Sequence, residues 1–152
     1  MKSKLLEQIR AELRASLERL TRAATEAHAA ATDPGSKAEG KYDTRSLEAS
    51  YLAAGQARQV EELAESLRIF ETLSLPDFAR ADPVDAGALV EVNLKGETAY
   101  FLLVPAAGGM EIDYDGREIT LLSPASQLYC KLLGMKAGEE LEMPVLRVID
   151  VR

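Results

Sequence analysis

The sequence has no tryptophan, one histidine (His28), one cysteine (Cys130) and three phenylalanines in 152 residues. Each shortage excludes something. A lone cysteine makes no internal disulfide and anchors no zinc site by itself. A lone histidine removes multi-histidine metal centres and most nucleophilic triads. The one Cys–His dyad left would need Cys130 beside His28, which sits in an Ala-rich helical stretch and reads as a surface residue. No window approaches the roughly 20 apolar residues needed to cross a bilayer, and MKSKLLEQIR carries no apolar signal run, so a cytoplasmic protein is expected. The net charge of −7 and pI near 4.8 argue against duplex DNA binding, which needs clustered Lys and Arg.

What is present divides into two modules. Residues 1–75 hold 11 basic and 12 acidic side chains, whereas residues 76–152 hold 7 basic and 13 acidic. The first half has one proline and the second half has Pro76, Pro83, Pro105, Pro124 and Pro144. The expected organisation is a helical module over 1–75, a linker over 76–86 and a sheet module over 87–152.

In residues 4–31, Leu6, Ile9, Leu13, Leu17, Leu20, Ala24, Ala27 and Ala31 recur at gaps of mostly three and four. This is a coiled-coil seam. Residues 46–73 repeat it with Ala53, Ala57, Val60, Leu63, Leu67 and Phe70. Asp33-Pro34-Gly35 and Gly40 break the chain between them. Two helices with one stripe each predict an antiparallel hairpin about 40 Å long, its tip near residues 32–46. Large seam residues lie near the second module and alanines near the tip, which predicts a hairpin that narrows outward. The plainer account is the helix propensity of Ala. Leu5, Leu52, Ile69 and Leu73 lie partly off the seam, either as a face for a partner helix or as packing on the second module.

The period then changes. Leu89–Leu94 and Thr98–Val104 read as strands around the turn Lys95-Gly96-Glu97. Glu111–Tyr114 and Glu118–Leu122 flank the hairpin signal Asp115-Gly116. Ser123-Pro124 reads as the start of a helix running to Leu133, closed by Gly134. Glu139–Met143 and Val145–Val151 complete an α+β module with an antiparallel sheet. Cys130 is expected buried as a small hydrophobe, and Phe101 as core. No phosphate loop, nucleophile elbow or metal-ligand cluster is present.

A helical hairpin followed by a small sheet module with Ser123-Pro124 and Leu132-Leu133-Gly134-Met135-Lys136-Ala137-Gly138-Glu139 resembles the GreA/GreB family of bacterial transcript-cleavage factors. The latter stretch is similar to the family's Leu-(Leu/Ile)-Gly-x-x-x-Gly-Asp turn. Ala49-Ser50-Tyr51-Leu52-Ala53-Ala54 is similar to its Ala-Glu-Tyr-x-Ala-Ala. The resemblance implies a coiled-coil hairpin on an FKBP-like domain that docks at the rim of the secondary channel of bacterial RNA polymerase. It implies docking residues at Ser123, Pro124, Leu133, Gly134 and Gly138. It also implies tip carboxylates that help hold a Mg²⁺ shared with the polymerase, where added oxygens complete a hard cation's shell and activate water.

At the tip the sequence departs from the family's Gly-Asp-x-x-Glu-Asn. Asp43 and Glu48 fall nearest the carboxylate positions, but five residues apart, or about 140° if both are helical. Lys37, Lys41 and Arg45 oppose a divalent cation there. The loop is longer than the family's, and the stretch from Ser123-Pro124 to Leu132-Leu133-Gly134 exceeds the family spacing by three residues, about one helical turn. Asp43 either N-caps the second helix, with Glu48 a solvated charge, or acts in function. Lys41, Tyr42, Asp43, Thr44 and Arg45 gather hydrogen-bonding groups suited to nucleic acid, nucleotide or polymerase loops, unless the loop has no partner at all. The reading is a regulator that binds polymerase, with cleavage stimulation set against by the tip spacing. Two alternatives stand beside it. One is a coiled-coil adaptor using the off-seam leucines. The other is an FKBP-like prolyl isomerase, which the few aromatics near its sheet (Tyr100, Phe101, Tyr114, Tyr129) disfavour.

Overall fold

A computed structural model describes residues 2–32 and 45–152, with side chains described for 2–26 and 54–152. Two long helices, α1 (Lys2–Thr32) and α2 (Arg45–Thr72), precede strands β1 (Leu89–Leu94), β2 (Glu97–Leu103), β3 (Glu111–Tyr114) and β4 (Arg117–Leu122). The short helix α3 (Gln127–Leu132) and strands β5 (Glu140–Leu141) and β6 (Leu146–Val151) follow. The chain forms two compact units, one of Arg10–Arg68 and one of Met1–Ile9 with Ile69–Arg152.

In the helical unit the expected stripe is visible as burial. Leu13 is fully buried, and Leu17, Leu20, Ala24, Val60, Leu63 and Leu67 are half-buried. Ala57, also on the stripe, is exposed. The outer face carries ion pairs such as Arg22–Glu18 at 3.1 Å and Arg68–Glu65 at 2.6 Å. They are solvent-exposed and each contributes little, about 0.3–0.5 kcal/mol. Apolar contact along the stripe is the main stabiliser of helices this long.

The second unit is a six-stranded sheet in the order β3-β4-β2-β1-β6-β5. One pairing corrects the expected antiparallel sheet: β2 and β4 run parallel, with Tyr100 opposite Ile119 and Leu102 opposite Leu121. The physical reason lies in composition. Glu111-Ile112-Asp113-Tyr114 is too charged for an interior position, whereas Ile119, Leu121 and Leu122 are buried. The β3–β4 hairpin therefore places apolar β4 inside and charged β3 at the edge, where charge also blunts edge-to-edge association. At the other edge, β5 has only two residues.

Both predicted turns have the two-residue form that matches strand twist. Lys95 and Gly96 have φ of 52° and 89°, and Asp115 and Gly116 have 54° and 75°. Asn93 Oδ1 accepts from the Gly96 amide at 2.9 Å, fixing the first turn.

Strand alternation separates two apolar faces. On one, Val90, Val92, Phe101, Leu103, Leu122 and Val148 pack with Tyr129, Leu132 and Met135 of the α3 region. On the other lie buried Leu102, Ile119 and Leu121. The start of α1 belongs to this unit, and Leu5, Leu6 and Ile9 are buried within it. Its attachment is polar as well as apolar. Lys2 Nζ donates to the Pro76 carbonyl at 2.6 Å and the Gly87 carbonyl at 2.8 Å. Gln8 Nε2 donates to the Asp113 carbonyl. The off-seam Leu5 is thus a core residue of the sheet unit.

Two further expectations are corrected. α3 begins at Gln127 after Ser126, four residues later than Ser123. Residues 123–126 instead form a turn closed by the Ser126 amide on the Ser123 carbonyl at 2.9 Å. Ser123 is held there by close approach of Gly108, where an added Cβ would lie 2.6 Å from Ser123 Oγ. Cys130 is exposed rather than buried. In a helix of six residues the core face is set by Tyr129 and Leu132, three apart, and Cys130 falls outside it.

Candidate functional site

The positions matched to the transcript-cleavage factors' turn form a defined structure beyond α3. Leu132 is fully buried and anchors it, while Leu133 is 41% exposed. Gly134 takes φ 82°, the left-handed conformation that closes the helix. Its amide donates to the Val84 carbonyl at 2.8 Å, and the Val84 amide donates to the Met135 carbonyl at 2.8 Å. Gly138, at φ 93°, donates to the Val148 carbonyl at 2.7 Å. The loop therefore has a fixed course: each glycine supplies a backbone conformation costly for other residues, and each amide is tied to a different part of the sheet unit.

Ser123 and Pro124 stand before α3, whereas Leu133, Gly134 and Gly138 lie beyond its other end. The structure thus brings the five docking candidates to one short element, at its two ends. Pro124, Leu133, Gly134 and Gly138 are exposed and Ser123 is half-buried. Pro124's carbonyl lies 3.7 Å from Cys130 Sγ, a weak contact across the first turn.

The exposed apolar surface beside this element was missed by sequence reasoning. Met143 is 79% exposed and Val145 64% exposed. Lys131 Nζ donates to the Met143 carbonyl at 2.6 Å, which joins this segment to α3. The Lys95 amide donates to the Val145 carbonyl at 2.9 Å and fixes its far side. The sequence predicts one strand ending at Met143 and the next beginning at Val145, whereas β5 stops at Leu141 and β6 starts at Leu146, which leaves both residues in the connection.

Exposed Leu133, Met143 and Val145 give this surface an apolar character. Tyr129, the phenol nearest its core side, is pushed up by burial, then by the charges of Asp85 and Cys130, and stays neutral. Away from α3, the edge hairpin carries Glu111, Asp113 and Glu118. Glu118 is raised by a side-chain hydrogen bond with Glu111, then by that residue's charge, by slight desolvation and by Asp113. Among the described residues no group of three or more His, Cys, Asp or Glu side chains could hold a metal ion. No helix among them is long and apolar enough to cross a membrane.

The tip candidates Lys41, Tyr42, Asp43 and Thr44 lie outside the described residues. Arg45 and Glu48 lie within the α2 backbone, and their side chains, with those of His28 and Leu52, are outside the described set. The Mg²⁺ reading of Asp43 and Glu48 accordingly gains no geometry here.

No family profile and no curated protein matches the chain. Among solved structures, the chain is similar over 94% of its length to the GreA factor homolog 1 (Gfh1) protein of Thermus thermophilus. The identity is 20%, with 94% of that chain covered and a TM-score of 0.38. Thermus aquaticus Gfh1 gives 19% identity over 93% of this chain and 92% of that one, with a TM-score of 0.37. A further structure of the transcription factor Gfh1 gives 21% identity, 94% and 92% coverage and a TM-score of 0.38.

Proposed function

We propose that the protein is a Gre-like regulator of bacterial RNA polymerase, acting in the cytoplasm as a binding factor and not as an enzyme itself. The sheet unit would dock at the secondary-channel rim through the surface around α3, and the helical hairpin would reach toward the active centre to modulate elongation or initiation. The observation that carries this reading is the loop Leu132–Glu139. The residues that resemble the family's turn are built as one rigid feature, with left-handed Gly134 and Gly138 tied to Val84 and Val148 and with Leu133 presented outward. Exposed Met143 and Val145 extend it with apolar area of the kind found at interface centres.

Transcript-cleavage stimulation is a separate matter. It would need Asp43 and Glu48 to act on a cation that polymerase already holds, and their separation in sequence opposes that. The adaptor reading loses one of its supports, because Leu5 is buried in the sheet unit and offers no free face. The test is retention on immobilised bacterial RNA polymerase, with competition by an authentic cleavage factor. Absence of binding to core and holoenzyme at micromolar concentration would remove the proposal. If binding holds, backtracked complexes with Mg²⁺ report on cleavage, and Asp43→Ala and Glu48→Ala report on the tip.

A further inference from the structure

On the sheet face opposite α3, within the unit formed by Met1–Ile9 and Ile69–Arg152, lies a cavity of about 430 Å³. Its floor is the sheet, where Leu89, Tyr100 and Ile119 of β1, β2 and β4 share a face. Lys2 and Leu5 of α1 and Phe78 of the connecting segment cover it. Arg117, which opens β4, stands at the end nearest the β3–β4 turn. A volume of this size is in the range of small-molecule sites, roughly 300–1,000 Å³, and far beyond the voids left by ordinary packing.

Two aromatic rings in this cavity already have cations over them. Lys2 Nζ lies 4.8 Å from the centre of the Phe78 ring, and the Arg117 guanidinium 5.3 Å from that of Tyr100. These contacts weigh against a cation at Phe78 or Tyr100, where it would have to displace the side-chain cation already there. An anion instead meets charges held in place by the rings. Lys2 uses two ammonium protons on the Pro76 and Gly87 carbonyls and keeps a third. Arg152 also lines the cavity, but it is occupied by Asp150 at 2.9 Å and Glu91 at 3.9 Å. Asp77 and Asp115 line it too, so the anion must be small and directed at Arg117 rather than spread over the opening.

We propose that this cavity binds a small flat carboxylate, its apolar body on Leu89, Tyr100 and Ile119 and its charge on Arg117. The guanidinium fork suits a carboxylate in a bidentate arrangement. The site lies on the face opposite α3 and is independent of the proposed polymerase contact.

The experiment uses the full chain and three probes of one shape: 1-naphthoate, its neutral amide and 1-naphthylmethylammonium. Amide resonances are followed by NMR during titration. Naphthoate is expected to saturate below about 1 mM, a free energy near −4 kcal/mol, with shifts concentrated at Leu89, Tyr100, Arg117 and Ile119. The amide and the cation should bind at least tenfold more weakly. Arg117→Gln, on an exposed strand end, should weaken naphthoate about tenfold with the spectrum otherwise intact. Leu89→Trp, which fills the floor, should abolish binding. The proposal is overturned by no saturable shift at millimolar naphthoate, by equal binding of the amide or cation, by an unchanged affinity in Arg117→Gln, or by shifts centred on Leu133 and Met143.

Discussion

Lys2 donates a 2.8 Å hydrogen bond to the carbonyl of Gly87, a partner 85 positions away in the chain. Only 6% of Lys2 is exposed. Burial pulls its ammonium down from 10.5 to about 8, with the charge of Asp77 opposing the shift. Between pH 8 and 10.5 the unfolded chain holds a proton that the folded chain has released. Folding stability should therefore rise with pH across that window, by at most about 3 kcal/mol. Tyr129 acts in the other direction, because its raised phenol pKa makes the folded state lose stability above about pH 10. Urea midpoints between pH 7.5 and 10 follow the rise, and Lys2→Met should flatten it. A flat wild-type profile would mean that the ammonium is well solvated.

Gly87→Ala tests the same attachment from the other side. Gly87 has φ 89°, and an added Cβ would lie 2.7 Å from Pro76 Cδ, against a ring that has little room to yield. The backbone strain alone costs about 1–3 kcal/mol, and relief by movement would disturb the carbonyl that Lys2 uses. The expected result is a lower urea midpoint with an unchanged slope.

Ala107→Gly should have the opposite sign. Ala107 sits at φ 61°, in the left-handed region, between β2 and β3. Relief of its strain, about 1–2 kcal/mol, exceeds the added freedom of the unfolded chain, about 0.4–1 kcal/mol. A net gain of up to about 1 kcal/mol is expected by thermal or chemical denaturation.

Neighbouring leucines at the end of α3 should separate stability from docking. Leu132 is fully buried, so Leu132→Ala should cost about 2–5 kcal/mol. Leu133→Ala, at an exposed position, should cost no more than about 0.5 kcal/mol yet weaken retention on polymerase. Leu133→Ala protein that folds normally and binds as well as wild type would take Leu133 out of the contact.

The sequence carried the elements well and their partnerships less well. The stripes of α1 and α2 were legible because spacings of three and four have one simple explanation. β1 was legible at Leu89–Leu94 because alternation and Lys95-Gly96 agree. The parallel β2–β4 pairing was not, since it depends on β3 and β4 competing for one interior position, a comparison no single segment contains. The start of α3 was misread because Ser123-Pro124 suits a turn as well as a helix N-terminus, and the contact with Gly108 decides between them. Of the candidate docking surface, Leu133 and Gly134 were legible through their motif. Met143 and Val145 were not, because both read as strand residues in the sequence yet lie in the connection between β5 and β6. The cavity had no sequence signal, being assembled from residues as distant as Lys2 and Arg152 whose anchors are partly backbone carbonyls.

The membership of Met1–Ile9 in the sheet unit has a consequence for the order of assembly during synthesis. Residues 10–68 form a continuous stretch, and that unit can complete itself as it emerges. The sheet unit has to wait: Leu5, Leu6 and Ile9 emerge before the helical unit, whereas the strands that belong with them emerge after it. Strand β1 itself is closed by reciprocal Leu89 and Arg152 backbone bonds, each 2.9 Å long. Folding of one unit is thus sequential, and that of the other requires joining the earliest and latest parts of the chain.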